Sequence, residues 1–311
     1  MTTKIAMIGT GVVGERIINQ ALANENYKIV AVYDENNIRL QEVADQYQLP
    51  AMSSVDELLK TKPDWVYIGT PPASHASLTE KIASKGFHVL SEKPLAHDMT
   101  EGRKMVEAVH EAGVKSAMHF PMMYSKEVRT LKQALANGEL GEVLRIELHV
   151  QFPHWPRPWQ QNPWIATREQ GGFIREIFPH YLQLTNHLFG GIDIVSHETI
   201  HPNDVKVSET SVIGLAKTID DIPMLISGMA GIAQQELIEY KVYGTKKTMT
   251  IRNWSELWES TVDMEEQRVA IHMETENLLQ ACHQLVQGEP ALVIPFEEGL
   301  KVQYWIDELL S

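Results

Sequence analysis

A single cysteine, Cys282, in 311 residues allows no internal disulfide. With no signal peptide at the N-terminus, that scarcity fits a reducing, cytoplasmic setting. No apolar run approaches the ~20 residues needed to cross a bilayer, so a membrane partner is not expected. Lysine and arginine number 27 against 41 aspartates and glutamates, a net charge of −14, and no basic cluster offsets it. Nucleic-acid binding rests on a basic surface that releases counterions, and is excluded on that ground. No internal repeat or low-complexity segment is found. What is present, 43% hydrophobic and 22% charged residues, is the composition of a soluble globular chain long enough for two domains.

The first apolar run, Lys4 to Ile8, flows directly into Gly9-Thr10-Gly11-Val12-Val13-Gly14, then a helical pattern, then a second apolar run ending in Asp34. G-x-G-x-x-G alone is common. Here it follows a strand, opens a helix and is followed by an acid 20 positions after its third glycine, the arrangement that holds a dinucleotide. Gly9 and Gly11 permit a tight turn and close approach to a pyrophosphate, and Gly14 lets the helix pack on its strand. Asp34 can accept from a free ribose 2′-hydroxyl and would repel a 2′-phosphate. Glu35-Asn36-Asn37 supply no cation, and Arg39 is the nearest one. The expected cofactor is therefore NAD, with NADP the less favoured.

Alternation continues through residues 38 to 60, read as helix, short strand and helix with Ser54 as an N-cap. The strand Trp65 to Ile68 runs into Thr70-Pro71-Pro72 and His75, which are placed on the cofactor side. The strand beginning at Phe87 ends in Glu92-Lys93-Pro94. A charged strand end in an open α/β sheet lies where ligands bind, and the proline restricts Lys93 so that its side chain can be aimed. One more helix and an apolar run to Phe120 complete a doubly wound parallel sheet over residues 1–121.

Beyond 121, strand-like runs at 143–150, 195–200, 209–216, 223–229, 236–243 and 247–252 lack long intervening helices. A largely antiparallel, open-faced sheet in an α/β domain over 122–311 is expected. Two stretches carry chemistry. Phe152 to Trp159, extended to Trp164 and Arg168, is a proline-stiffened aromatic loop. Trp155, Trp159 and Trp164 can pack on a sugar ring, while Arg157 or Arg168 can hold a hydroxyl or carboxylate. In Gly171-Gly172-Phe173 through His180, Glu176 and His180 share a helix face four residues apart, suiting a base oriented by a carboxylate. The histidine spacings give no metal site.

Four stretches together resemble the glucose-fructose oxidoreductase, inositol dehydrogenase and rhizopine-catabolism (Gfo/Idh/MocA) family: 8–14, Gly69 to Pro72 with His75, 86–96, and 138–143. The resemblance implies that Lys93 lies beside the nicotinamide and bonds the reacting oxygen. It further implies a nearby role for Glu92, a cis peptide before Pro94, and a dimer or tetramer formed through the open sheet face. The implied activity is hydride transfer between NAD and a hydroxyl-bearing carbon of a sugar, cyclitol or related polyol. Departures from the family pattern are Glu176 for aspartate, Phe178 for glycine, Gln183 for a frequent aspartate, and no arginine in His119 to Tyr124. They keep open a dinucleotide-binding regulator without turnover, or a reductase of an imine or enone.

Overall fold

The computed structural model describes residues 1–160, 162–273 and 277–311. Two compact units are present: Met1–Phe120 with Asn277–Gln303, and Pro121–Glu276 with Tyr304–Ser311.

The first unit opens with β1 (Thr3–Ile8), α1 (Val12–Leu22), β2 (Tyr27–Tyr33), α2 (Asn37–Tyr47), α3 (Val55–Leu59) and β3 (Trp65–Ile68). It continues with α4 (His75–Ala83), β4 (His88–Ser91), α5 (Met99–Glu111) and β5 (Ser116–Met118). The strands form one parallel sheet in the order β2-β1-β3-β4-β5. Ile5 to Ile8, Trp65 to Ile68, Val89 and Leu90 are almost wholly buried, as strands covered on both faces must be. Because all five strands point one way, the loops after β1, β2, β3 and β4 leave the same edge, and the order reverses between β1 and β3. Ser54 caps α3 at the Glu57 amide, as expected. The strand expected between α2 and α3 reduces to a bridge of Val32 with Ala51, because Pro50 offers a carbonyl to Val32 but no amide.

The second unit holds α6 (Lys126–Ala136), β6 (Val143–Phe152), α7 (Phe173–Phe189), β7 (Ile192–Ile200), β8 (Ser211–Thr218), β9 (Pro223–Ala230), β10 (Leu237–Gly244), β11 (Thr248–Arg252), β12 (Glu256–Thr261) and β13 (Met264–Arg268). Its eight strands run β13-β12-β11-β10-β6-β9-β8-β7, antiparallel except for the parallel β6–β9 pair. The last two strands, beyond Arg252, were not anticipated. One face is apolar and buried, with Ile146, Leu148, Ile226, Tyr240 and Ile251 among its residues. Gly228 in β9 leaves room for the rings of Phe173 and Phe178 on α7, which a Cβ there would strike. On the other face Ile213 and Leu215 are more than half exposed.

The chain ends with α8 (Leu278–Val286) and α9 (Phe296–Leu310). Residues 277–303, read from sequence as part of the second domain, group instead with the first unit. The Tyr27 hydroxyl donates to the Leu279 carbonyl at 2.6 Å, the Trp65 indole to the Cys282 carbonyl at 3.1 Å, and the Met118 amide to the Ile294 carbonyl at 2.7 Å. Apolar periodicity reveals that a helix has a buried stripe but not which sheet covers it.

Candidate active site

In the first unit, chemistry gathers where the strands end. Gly9 turns at φ +90° and its backbone lies against that of Gly69, 2.6 Å from where a Cβ would stand. A Cβ on Gly14 would strike the Gly9 carbonyl, whereas one on Gly11 would meet nothing within 4 Å. The glycine loop is thus packed from below and open above. Gly11 caps α1 without a side-chain bond, and Val12 and Val13 are exposed, so the first amides of α1 face outward at its positive end. That cradle fits a dinucleotide pyrophosphate.

Asp34 is half-buried, and its Oδ2 accepts from the Thr10 amide at 2.7 Å and the Thr10 hydroxyl at 2.9 Å. Its Oδ1 accepts from the Asn36 amide at 2.9 Å. Arg39, the nearby cation, donates through Nε to the Thr10 carbonyl at 2.8 Å and is ion-paired with Glu15. The Tyr47 hydroxyl and Arg39 hold the Glu15 carboxyl below its ordinary range.

His75 is fully buried rather than lining an open groove. Its Nε2 stands 2.8 Å from the Thr70 carbonyl and its Nδ1 3.1 Å from the Leu95 carbonyl, tying the loop after β3 to the loop after β4. Burial lowers its pKa, which favours the neutral ring. Thr70 bonds Ser74 at 2.6 Å, and Pro72 opens a short 3-10 turn, so Thr70 to Pro72 are held by their own loop.

Glu92 is buried and accepts from the Tyr67 hydroxyl at 2.8 Å and pairs with His119 Nδ1 at 2.6 Å. Burial pushes its carboxyl up, but His119 and Tyr67 outweigh that and hold it below the usual range. Lys93, half-buried, follows immediately, and the Lys93–Pro94 bond is cis, as the resemblance implied. Tyr67 and His119 were missed in the sequence, where nothing marks which residues flank a strand end.

In the second unit, Glu176 and His180 lie one turn apart on α7, as expected. His180 is buried with its ring edge-on to Trp254, centroids 5.2 Å apart. Trp254 has φ +74° beside Asn253 at +47°, conformations that side-chain-bearing residues adopt rarely, and functional sites are where such strain collects. Arg157 brings the aromatic loop to the same place. Its guanidinium lies 5.0 Å from the Phe152 ring, 5.5 Å from Trp159, and 5.9 Å from both Trp155 and Trp254. Glu236 stands 3.5 Å from its Nε. Burial lowers the Arg157 pKa, with Glu236, Glu176 and Tyr181 opposing.

Trp164 and Arg168 keep other company. Trp164 offers its carbonyl to Thr167, and the exposed Arg168 gives its own carbonyl to Arg175 at 3.0 Å. Trp254 and Glu236 were not anticipated; they arrive from the β11–β12 turn and the loop before β10, far along the chain. Glu209 was also missed. It is 2% exposed, and its Oε1 accepts from the Ile174 amide at 2.7 Å at the start of α7. Burial raises its pKa to about 7 against the pull of that amide and of Arg175. Among the described residues, no group of three or more His, Cys, Asp or Glu could hold a metal.

Comparison with known proteins bears on the family and the fold. Residues 3–120 match the oxidoreductase family with an NAD-binding Rossmann fold, and residues 128–250 match the GFO/IDH/MocA C-terminal domain. The 2,7-anhydro-N-acetylneuraminate hydratase of Escherichia coli (strain K12) is 32% identical over 60% of this chain and 50% of its own length. The inositol 2-dehydrogenase of Rhizobium meliloti (strain 1021) is 23% identical over 71% and 62%. The chain spans about half the length of the first curated relatives it matches. An oxidoreductase of Desulfitobacterium hafniense superposes with a TM-score of 0.88 at 17% identity, covering 100% of this chain and 95% of that one. Matched by the family's models over residues in both halves, the chain belongs to the Gfo/Idh/MocA oxidoreductase family.

Proposed function

We propose that this protein oxidises a hydroxyl-bearing carbon of a sugar, cyclitol or related polyol with NAD, or runs the reverse reduction. The observation that carries the reading is the outward-facing α1 terminus beside Asp34, at the same sheet edge as the Lys93 loop. Bound nicotinamide supplies the hydride acceptor; this chain's residues do the rest. Lys93 stabilises charge developing on the reacting oxygen, as a preorganised cation does best in a site poor in water. His180 takes the hydroxyl proton, and Glu176 orients its ring. Asp34 favours NAD over NADP, and Arg39 is engaged with Glu15 instead of open to a 2′-phosphate.

A panel of sugars, cyclitols and hydroxy acids with NAD, followed at the reduced-nicotinamide absorbance, tests the reading. Lys93→Ala and His180→Ala are each expected to lower kcat by ~10² or more while leaving NAD affinity nearly unchanged. Oxidative kcat/KM should rise with pH as His180 becomes neutral, and that limb should vanish in His180→Ala. An unchanged kcat and pH profile in His180→Ala would remove the histidine from the proton path. Product analysis in the same assay separates oxidation from hydration, the reaction in the Escherichia coli relative's name.

Two or more copies pair through the open sheet face in this reading. Ile213 and Leu215 are 56% and 53% exposed there. Further along the same sheet, Glu147 gathers Arg145 at 2.6 Å, Tyr243 at 3.0 Å and His149 at 3.1 Å. Ile213→Asp with Leu215→Asp is expected to give a smaller species in sedimentation, and an unchanged mass would place the interface elsewhere.

A further inference from the structure

Arg157 carries a feature that recognition of neutral hydroxyls does not require. Its side chain is only 10% exposed, and its Nε and Nη2 meet no hydrogen-bond acceptor among the described residues. Glu236, 3.5 Å from Nε, neutralises charge from the side but lies outside hydrogen-bond geometry. Buried donors without acceptors are costly, and a guanidinium more so than an amide. These two nitrogens are also a particular pair. They form the side edge of the guanidinium, two parallel N–H groups at the spacing of two carboxylate oxygens. The guanidinium carbon of the same group lies over aromatic rings, Phe152 nearest at 5.0 Å and Trp159 at 5.5 Å. Packing against these rings holds the group in place while its Nε–Nη2 edge stays buried and without an acceptor among the described residues.

We propose that the Nε–Nη2 edge of Arg157 is a carboxylate subsite, so that the substrate of the site described above is a sugar acid or similar polyhydroxy carboxylate. This rests on the dehydrogenase reading only for the word substrate; the binding claim stands without it. A single guanidinium matches one negative charge. A phosphate, with nearly twice the charge, would meet Glu236 with one cation to hold it. Trp155 and Trp254, each 5.9 Å from the same guanidinium, are flat apolar surfaces of the kind on which the C–H face of a pyranose or an extended polyol packs.

Calorimetric titration of the NAD-saturated protein tests the proposal. The probes are D-glucuronate, D-galacturonate and D-gluconate, set against D-glucose, D-galactose and D-glucose 6-phosphate. At least one acid is expected to bind ~10-fold or more tighter than its neutral counterpart. Arg157→Gln should erase that preference, and Arg157→Lys should restore only part of it. Glu236→Gln, which keeps the arginine and its stacking, should tighten the acids several-fold; unchanged or weaker acid binding would count against the subsite even if Arg157→Gln failed to fold. Neutral sugars binding as well as acids, D-glucose 6-phosphate binding tighter than every acid, or no heat from any acid would each overturn it. Absorbance of the same mixtures separates the two readings. Acid binding without reduced cofactor removes the dehydrogenase and keeps the subsite, whereas turnover of neutral polyols without acid binding does the reverse.

Discussion

Asp34 braces the glycine loop, a task separate from the ribose contact proposed for it. Holding both donors of Thr10 on one oxygen, it keeps the glycine turn in place. Asp34→Ser is therefore expected to weaken NAD and to narrow the NAD-to-NADP affinity ratio by about 10-fold, read by titrating both cofactors. Glu15→Gln is the complementary change. It leaves Asp34 alone but releases Arg39, and NADP affinity should rise; an unaltered ratio in both variants would remove Asp34 from cofactor selection. At this scale much was legible in the sequence. Gly9, Gly14 and Asp34 answer to backbone and charge requirements that only those residue types meet, and the order strand, glycine loop, helix, acid writes them contiguously. Arg157 was visible as a candidate because it stands among tryptophans in one loop. Trp254 and Glu236 were not, because the chain brings them from a strand start and a hairpin some 80 to 100 residues later, with no local pattern naming their target.

The helix α7 carries Glu176 and His180, and its first turn is where the second unit is most finely constrained. Gly172 precedes it at φ +96°, and a Cβ there would strike the Glu209 carboxylate. Glu209 in turn accepts the Ile174 amide, a cap delivered from a distant loop instead of from the residue before the helix. Pro179, inside the helix, cannot donate the amide that would close on the Arg175 carbonyl, so the turn bearing His180 relies on packing and on its N-terminal anchor. Burial raises the Glu209 pKa from 4.5 to about 7, so the fold favours its protonated form. The stability this contributes is fully present below pH ~4.5 and is lost as pH rises through about 7. Glu209→Gln keeps an acceptor for Ile174 without the charge. It should unfold about 5 °C higher than the parent at pH 8 and within about 1 °C of it at pH 5, measured by thermal denaturation. Equal differences at both pH values would show that Glu209 is ionised throughout. The helix itself was expected, since it sets Glu176 and His180 on one face. Its cap was not, since sequence rules look for the capping side chain beside the helix, and here it lies 35 residues beyond the amide it meets.

Across the whole molecule, the first unit is assembled from both ends of the chain. The covering of β2 and β3 by α8, through Tyr27 and Trp65, makes residues 277–303 part of the same core as residues 1–120. A fragment of residues 1–121, the domain as the sequence suggested it, should neither unfold cooperatively nor bind NAD. Residues 1–120 joined by a flexible linker to 277–303 should do both, as followed by circular dichroism and NAD titration. Cooperative unfolding and full NAD affinity in the shorter fragment would show the C-terminal segment to be an accessory. The same arrangement bears on how the protein is made. During synthesis the parallel strands emerge before residues 121–276, and the helix that shields their flank follows only after them. Trp65 and its neighbours must wait, partly wetted, while the entire second unit is produced. That interval is when a nascent chain is most prone to stick to others. Premature termination between residues 121 and 277 would therefore release a product with an unsealed apolar flank, a natural target for chaperones and for degradation.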